Sequence, residues 1–121
     1  MSSNTTKNTI NLDTASRLDI ICRRGDTFYM VLDFGTTTVP SDGWKMEVRE
    51  SDTDNATGTS ILTFSGGEIA LSGSKLTIQK TATAMDVASG LYVYDLQSTG
   101  FTTTKTYLYG TFKVNEDVTL P

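Results

Sequence analysis

The 121-residue chain has no histidine, one cysteine (Cys22) and two prolines. Without histidine it lacks the side chain that most often activates serine, cysteine or water near neutral pH. A lone cysteine excludes an internal disulfide, and with no histidine, no CxxC pair and no EF-hand loop the common metal-ligand patterns are missing. Cys22 lies in the apolar stretch Leu18, Asp19, Ile20, Ile21, Cys22, where a thiol reads as a small buried hydrophobe. No apolar run approaches the roughly 20 residues that span a bilayer. Residues 2–9 are Ser, Asn, Thr and Lys, with no apolar core of a signal peptide, so synthesis in a cytoplasm without secretion is expected. Clustered positive charge is missing too: 10 Lys and Arg stand against 14 Asp and Glu, for a net charge of −4. Phosphate backbones and anionic membranes need clustered cations, so neither nucleic acid nor membrane is an expected partner. Arg23 and Arg24 form the one close basic pair and read as solvated charge.

What the chain does have is Thr, Ser and Gly around short apolar alternations. Its length fits one domain. Residues 1–16 (MSSNTTKNTINLDTAS) are polar and aperiodic, and are expected to be a flexible arm whose large aliphatics are Ile10 and Leu12. From residue 17 to 121 the pattern is that of a β-sandwich. Leu18, Ile20 and Cys22 alternate with polar positions. Phe28, Met30, Leu32 and Phe34 alternate with Tyr29, Val31 and Asp33. Trp44, Met46 and Val48 alternate cleanly with Lys45, Glu47 and Arg49, the signature of a half-buried strand. Residues 68–71 and 75–79 flank Ser72-Gly73-Ser74 as a hairpin, and 91–96 and 105–114 form the last two long strands. Thr83 is expected to cap one helical turn near 83–88 carrying Met85 and Val87 and stopped by Gly90. Seven to eight short strands at about ten-residue spacing predict an all-β, antiparallel immunoglobulin-like sandwich.

Candidate chemistry is thin. Asp52, Asp54 and Asn55 share a loop but lack the bidentate Glu and sharp-turn Gly of a calcium site. Glu47, Glu50, Asp95, Glu116 and Asp117 supply carboxylates, most simply the wet faces of strands. No enzyme activity, no cofactor, no metal and no small-molecule substrate is expected. Arg24-Gly25-Asp26 spells a tripeptide familiar from cell adhesion; between two strands it reads as a turn built on Gly25 and Asp26. Asp95, inside an apolar strand beside Tyr94, either faces water or clamps neighbouring backbone. Trp44, Tyr94 and Asp95 are expected to be structural. Tyr29, Tyr107 and Tyr109 fall opposite the apolar faces of their strands, where tyrosine serves as an interface residue. With Ile10 and Leu12 they form the expected protein-binding set.

Residues 18–34 (LDIICRRGDTFYMVLDF), 43–49 (GWKMEVR), 90–97 (GLYVYDLQ), 109–114 (YGTFKV) and 117–119 (DVT) resemble, in order and spacing, a group of small virion proteins of tailed bacteriophages. In that group an RGDT-like or QGDT-like turn opens the domain, a GxYxYDL strand follows a Thr-led turn, and a GxxxV…xxVT strand closes it. The resemblance covers about 18–119. The single cysteine and the short loop before Trp44 depart from it. It implies an immunoglobulin-like or baseplate-upper-protein-like fold, a structural role in head decoration, head-fibre attachment or tail and baseplate, and no catalytic residues. Expected partners are other virion proteins (capsid, portal, tail or fibre), together with further copies of the chain in the particle, made in the host bacterial cytoplasm. A carbohydrate- or receptor-binding module of a phage fibre is the alternative.

Overall fold

A computed structural model describes residues 12–50 and 60–119. Among the described residues nine strands run in order: β1 (Ser16–Arg17), β2 (Ile20–Arg23), β3 (Phe28–Asp33), β4 (Trp44–Arg49), β5 (Ser60–Ser65), β6 (Ile69–Ser72), β7 (Lys75–Lys80), β8 (Gly90–Ser98) and β9 (Lys105–Asn115). A 3-10 turn at Gly66–Glu68 joins β5 to β6. One sheet has the order β1-β9-β8-β4-β5, with β2 also on β9; the other is β3-β7-β6. The two face each other as a sandwich. β3, β7 and β6 stand where strands B, E and D stand in an immunoglobulin domain, and β4, β8 and β9 where C, F and G stand, with β5 added as C′. The fold is therefore an immunoglobulin-like all-β sandwich.

The alternation read in the sequence is what the sheets bury. Trp44, Met46 and Val48 of β4, Phe64 of β5, Leu96 of β8 and Phe112 of β9 are all buried, facing Phe28, Ile69, Leu76 and Ile78 of the smaller sheet. Phe28 bridges the layers, with ring centroids 5.1 Å from Phe64 and 5.7 Å from Phe112. Each such side chain contributes about 1.5–3 kcal/mol by leaving water, so the layers have no need of a disulfide. Tyr92 sits near the start of β8 and donates its hydroxyl to the Ala88 carbonyl at 2.7 Å, the tyrosine corner of immunoglobulin folds. Two residues on, where antibody domains carry a bridging cysteine, this chain has Tyr94, which is buried.

Four details differ from the sequence reading. The stretch 18–22 is not one antiparallel strand. β1 and β2 are two pieces of a strap running parallel to β9, with Ser16 paired to Leu108 and Ile20 to Phe112. The interruption lies over Gly110, where an added Cβ would stand 2.4 Å from the Leu18 carbonyl oxygen. The strap can lie this close because Gly110 has no side chain. The helical turn begins at Thr81 rather than Thr83: Thr81 Oγ1 accepts from the Ala84 N–H at 3.3 Å and the Met85 N–H reaches the Thr81 carbonyl at 3.1 Å. It stops after one turn, with Met85 buried in the core and Val87 packed against it.

Tyr107 is the third difference. Leu96 pairs with Leu108 but Gln97 pairs with Thr106, so Tyr107 is the extra residue of a β-bulge. The bulge turns its ring inward, 4.9 Å from Trp44 and 5.8 Å from Phe34. Its expected place on the outer face is corrected accordingly. Fourth, the backbone clamp considered for Asp95 belongs to Asp19, whose Oδ1 accepts the Thr111 N–H at 3.0 Å. Asp95 faces solvent beside Glu47.

Candidate functional site

The structural residues anticipated in the sequence fall at the seams of the sandwich. Gly25 has φ +79 as the third residue of a turn closed by the Asp26 N–H on the Arg23 carbonyl at 3.2 Å. A residue with a Cβ rarely adopts this conformation, which is why glycine stands here. Arg24 is fastened to Asp86 at 2.8 Å and to Glu116 at 3.4 Å, so the adhesion-like tripeptide is a buttressed turn. Trp44 donates its indole N–H to the Pro40 carbonyl at 2.9 Å and stacks on Phe34 at 5.7 Å. Tyr94 donates to the Leu18 carbonyl at 2.5 Å, tying the strap to β8; burial pushes its hydroxyl pKa up to about 12, and Asp19 adds to the shift. The Thr111 N–H, with help from Arg17, holds the Asp19 carboxyl below the usual carboxylate range. Burial first, and Asp26 second, raise the Cys22 thiol to about 11, so it stays protonated and unreactive near neutrality.

The anticipated binding residues do not gather into one patch. Ile10 lies outside the described residues, as do Asp52, Asp54 and Asn55. Leu12 is 86% exposed at the head of the strap. Tyr29 is exposed on the outer face of the three-stranded sheet, and Tyr109 is partly exposed on the outer face of the other, so the two point in opposite directions.

Around Tyr109 the outer face of the larger sheet is concave. Glu47 of β4 lies across from Asp95 of β8, which lies across from Tyr109 of β9, which in turn pairs with Arg17 of β1. This row forms the floor of an open groove of about 710 Å³, continued by Arg49, Gln97 and Thr111. Arg17 stands 6.0 Å above the Tyr109 ring and holds Asp19 at 3.2 Å. Glu47 is engaged by Arg49 at 2.9 Å and Lys45 at 3.6 Å. Burial, then the neighbouring Glu47, push the Asp95 carboxyl up, against the pull of Arg49. The groove therefore offers an aromatic face, a pair of neighbouring carboxylates and several amide and hydroxyl groups, a set suited to polar recognition. Only the strand neighbours of this row were legible in the sequence. Its concavity comes from the strap, whose parallel pairing has no local sequence signature.

No protein-family model matches the chain, and no curated protein matches it in sequence. Among solved structures it is similar to an uncharacterized protein from Bacillus anthracis str. Ames, with 16% identity, a TM-score of 0.48 and 85% of each chain covered. It is similar to CopC from Methylosinus trichosporium OB3b at 16% identity and a TM-score of 0.48, covering 84% of this chain and 89% of that one. It is also similar to the NK cell receptor Nkp44 at 14% identity and a TM-score of 0.38, covering 85% and 100%. None of these likenesses carries a function to this chain.

Proposed function

We propose that the chain is a structural component of a tailed-bacteriophage virion, an accessory, decoration or fibre-attachment protein of capsid or tail that acts by binding other virion proteins. The observation that carries this reading is the ordered series of motifs from the RGDT turn at Arg24 to the closing strand at Tyr109–Val114, spread over nearly the whole sandwich. The immunoglobulin-like architecture is compatible with it. Exposed apolar side chains support it as well: Tyr29 and Val31 on one sheet, Ile21 and Leu91 on the other, and Leu12 at the strap's head. Repetition by particle symmetry lets contacts of modest affinity sum to firm attachment. The test is mass spectrometry of purified particles. Recovery of the chain at a fixed ratio to the major capsid protein is expected, and its absence from particles made by cells that contain it would refute the proposal.

The groove favours a second reading, a carbohydrate- or receptor-binding module. Its volume suits a small polar ligand, and its floor combines Tyr109 with Asp95, Gln97 and Thr111. A glycan array probed with the folded domain tests this. Binding lost on Tyr109→Ala would support it, and no binding to any glycan would discount it.

A further inference from the structure

Among the described residues, strand β3 is an edge of the smaller sheet and pairs only with β7. The Phe34 N–H donates to the Ser74 carbonyl at 2.9 Å, immediately beyond the Asp33–Lys75 pair. In an antiparallel ladder the bonded pairs then recur at Leu32, Met30 and Phe28. Tyr29, Val31 and Asp33 must point their main-chain N–H and C=O groups the other way, to the open side, and among the described residues none of these groups is paired.

The other exposed edges are protected by devices that natural sheets use against strand addition. β6 has only four residues. The strap is broken between β1 and β2 and carries Arg17 and Arg23. β5 meets its neighbour through a register shift between Val48 and Arg49. β3 has six residues, FYMVLD, with no proline, no register shift and no charge before Asp33. The inward side of the strand is apolar as well: Met30 and Leu32 are only half-buried against the core.

We propose that this edge is a homodimer interface, in which β3 of a second copy adds antiparallel to β3 and joins two three-stranded sheets into one of six strands. Self-complementarity selects a second copy as the occupant. With Met30 on the two-fold axis, Tyr29 faces Val31 of the other copy on the outer surface, twice by symmetry. Aromatic and β-branched side chains make favourable cross-strand pairs. The one charge on the strand, Asp33, then falls opposite Thr27 rather than against another carboxylate. The open main-chain groups of Tyr29 and Val31 supply about four inter-chain hydrogen bonds, and the two apolar inward sides cover each other. The inference stands independently of the virion reading, since it needs only the isolated chain.

Sedimentation equilibrium of the full chain tests it, with species of twice the 13.1 kDa chain mass expected at high micromolar concentration. Val31→Pro removes an N–H that points to the open edge and no bond of the β3–β7 ladder, so the domain is expected to stay folded. It is expected to weaken the dimer at least about tenfold. Val31→Lys, a charge on the solvent face, is expected to do the same and covers the case in which the proline variant fails to fold. A chain that stays monomeric at every concentration overturns the proposal. So does a dimer that survives both variants, or one that forms only after residues 1–11 are deleted, which would assign the edge to the chain's own leading segment.

Discussion

Replacing Gly110 with alanine tests how the strap is held. The new Cβ would lie 2.4 Å from the Leu18 carbonyl oxygen, 2.9 Å from its carbon and 2.8 Å from Asp19 Oδ1. Two of these are backbone atoms, so relief requires the strap itself to move. Overpacking of this kind costs about 1–3 kcal/mol. Moving the strap also breaks the Leu18 N–H bond to the Tyr109 carbonyl and the Tyr94 hydroxyl bond to the Leu18 carbonyl, at about 1 kcal/mol each. The expected loss is about 3–5 kcal/mol, a large part of the roughly 5–15 kcal/mol that holds a domain of this size. Urea denaturation followed by circular dichroism measures it, and faster amide exchange at Thr111 should accompany it. Unfolding within about 0.5 kcal/mol of the wild type would refute the close parallel pairing over Gly110.

Tyr92→Phe removes only the hydroxyl that reaches the Ala88 carbonyl and should cost about 1 kcal/mol in the same denaturation assay; no loss would mean that the tyrosine corner does not contribute. Asp95 has its pKa raised by burial and by Glu47, so the folded state holds that proton more tightly than the unfolded chain does. Its stabilising effect is present below the ordinary carboxylate pKa and is lost as pH rises through the raised value. Asp95→Asn should therefore be slightly more stable than the wild type at pH 7, by no more than about 0.5 kcal/mol in so open a site, with no such gain at pH 3; the reverse pH order in denaturant titrations would contradict the placement beside Glu47. Cys22, with its thiol at about 11, should react with a thiol reagent at pH 8 at least about 100-fold more slowly than free cysteine, and a fast reaction would mean that the strap opens readily.

The strands were legible wherever one face is buried and the other wet. In β4 the alternation of Trp44, Met46 and Val48 with charged residues fixes both the element and its inner face. Three features were not legible, each for a physical reason. Parallel pairing of the strap depends on the absence of a side chain at Gly110, a residue more than 80 positions away. Tyr107 turned inward because one extra residue in β9 breaks the two-residue period at that point. Period alone places Tyr109 on the outer face correctly, but nothing in the period marks the bulge before it. The groove was legible only as scattered strand residues, because Arg17, Asp95 and Tyr109 become neighbours through sheet order rather than through chain order.

The proposed binding of this sandwich within a virion is put to its sharpest test by cryo-electron microscopy of particles with and without this chain. Difference density is expected at symmetry-related positions, fitting a two-layer β domain with one of its outer faces or the β3 edge against a neighbouring protein. Identical reconstructions of the two kinds of particle would contradict it.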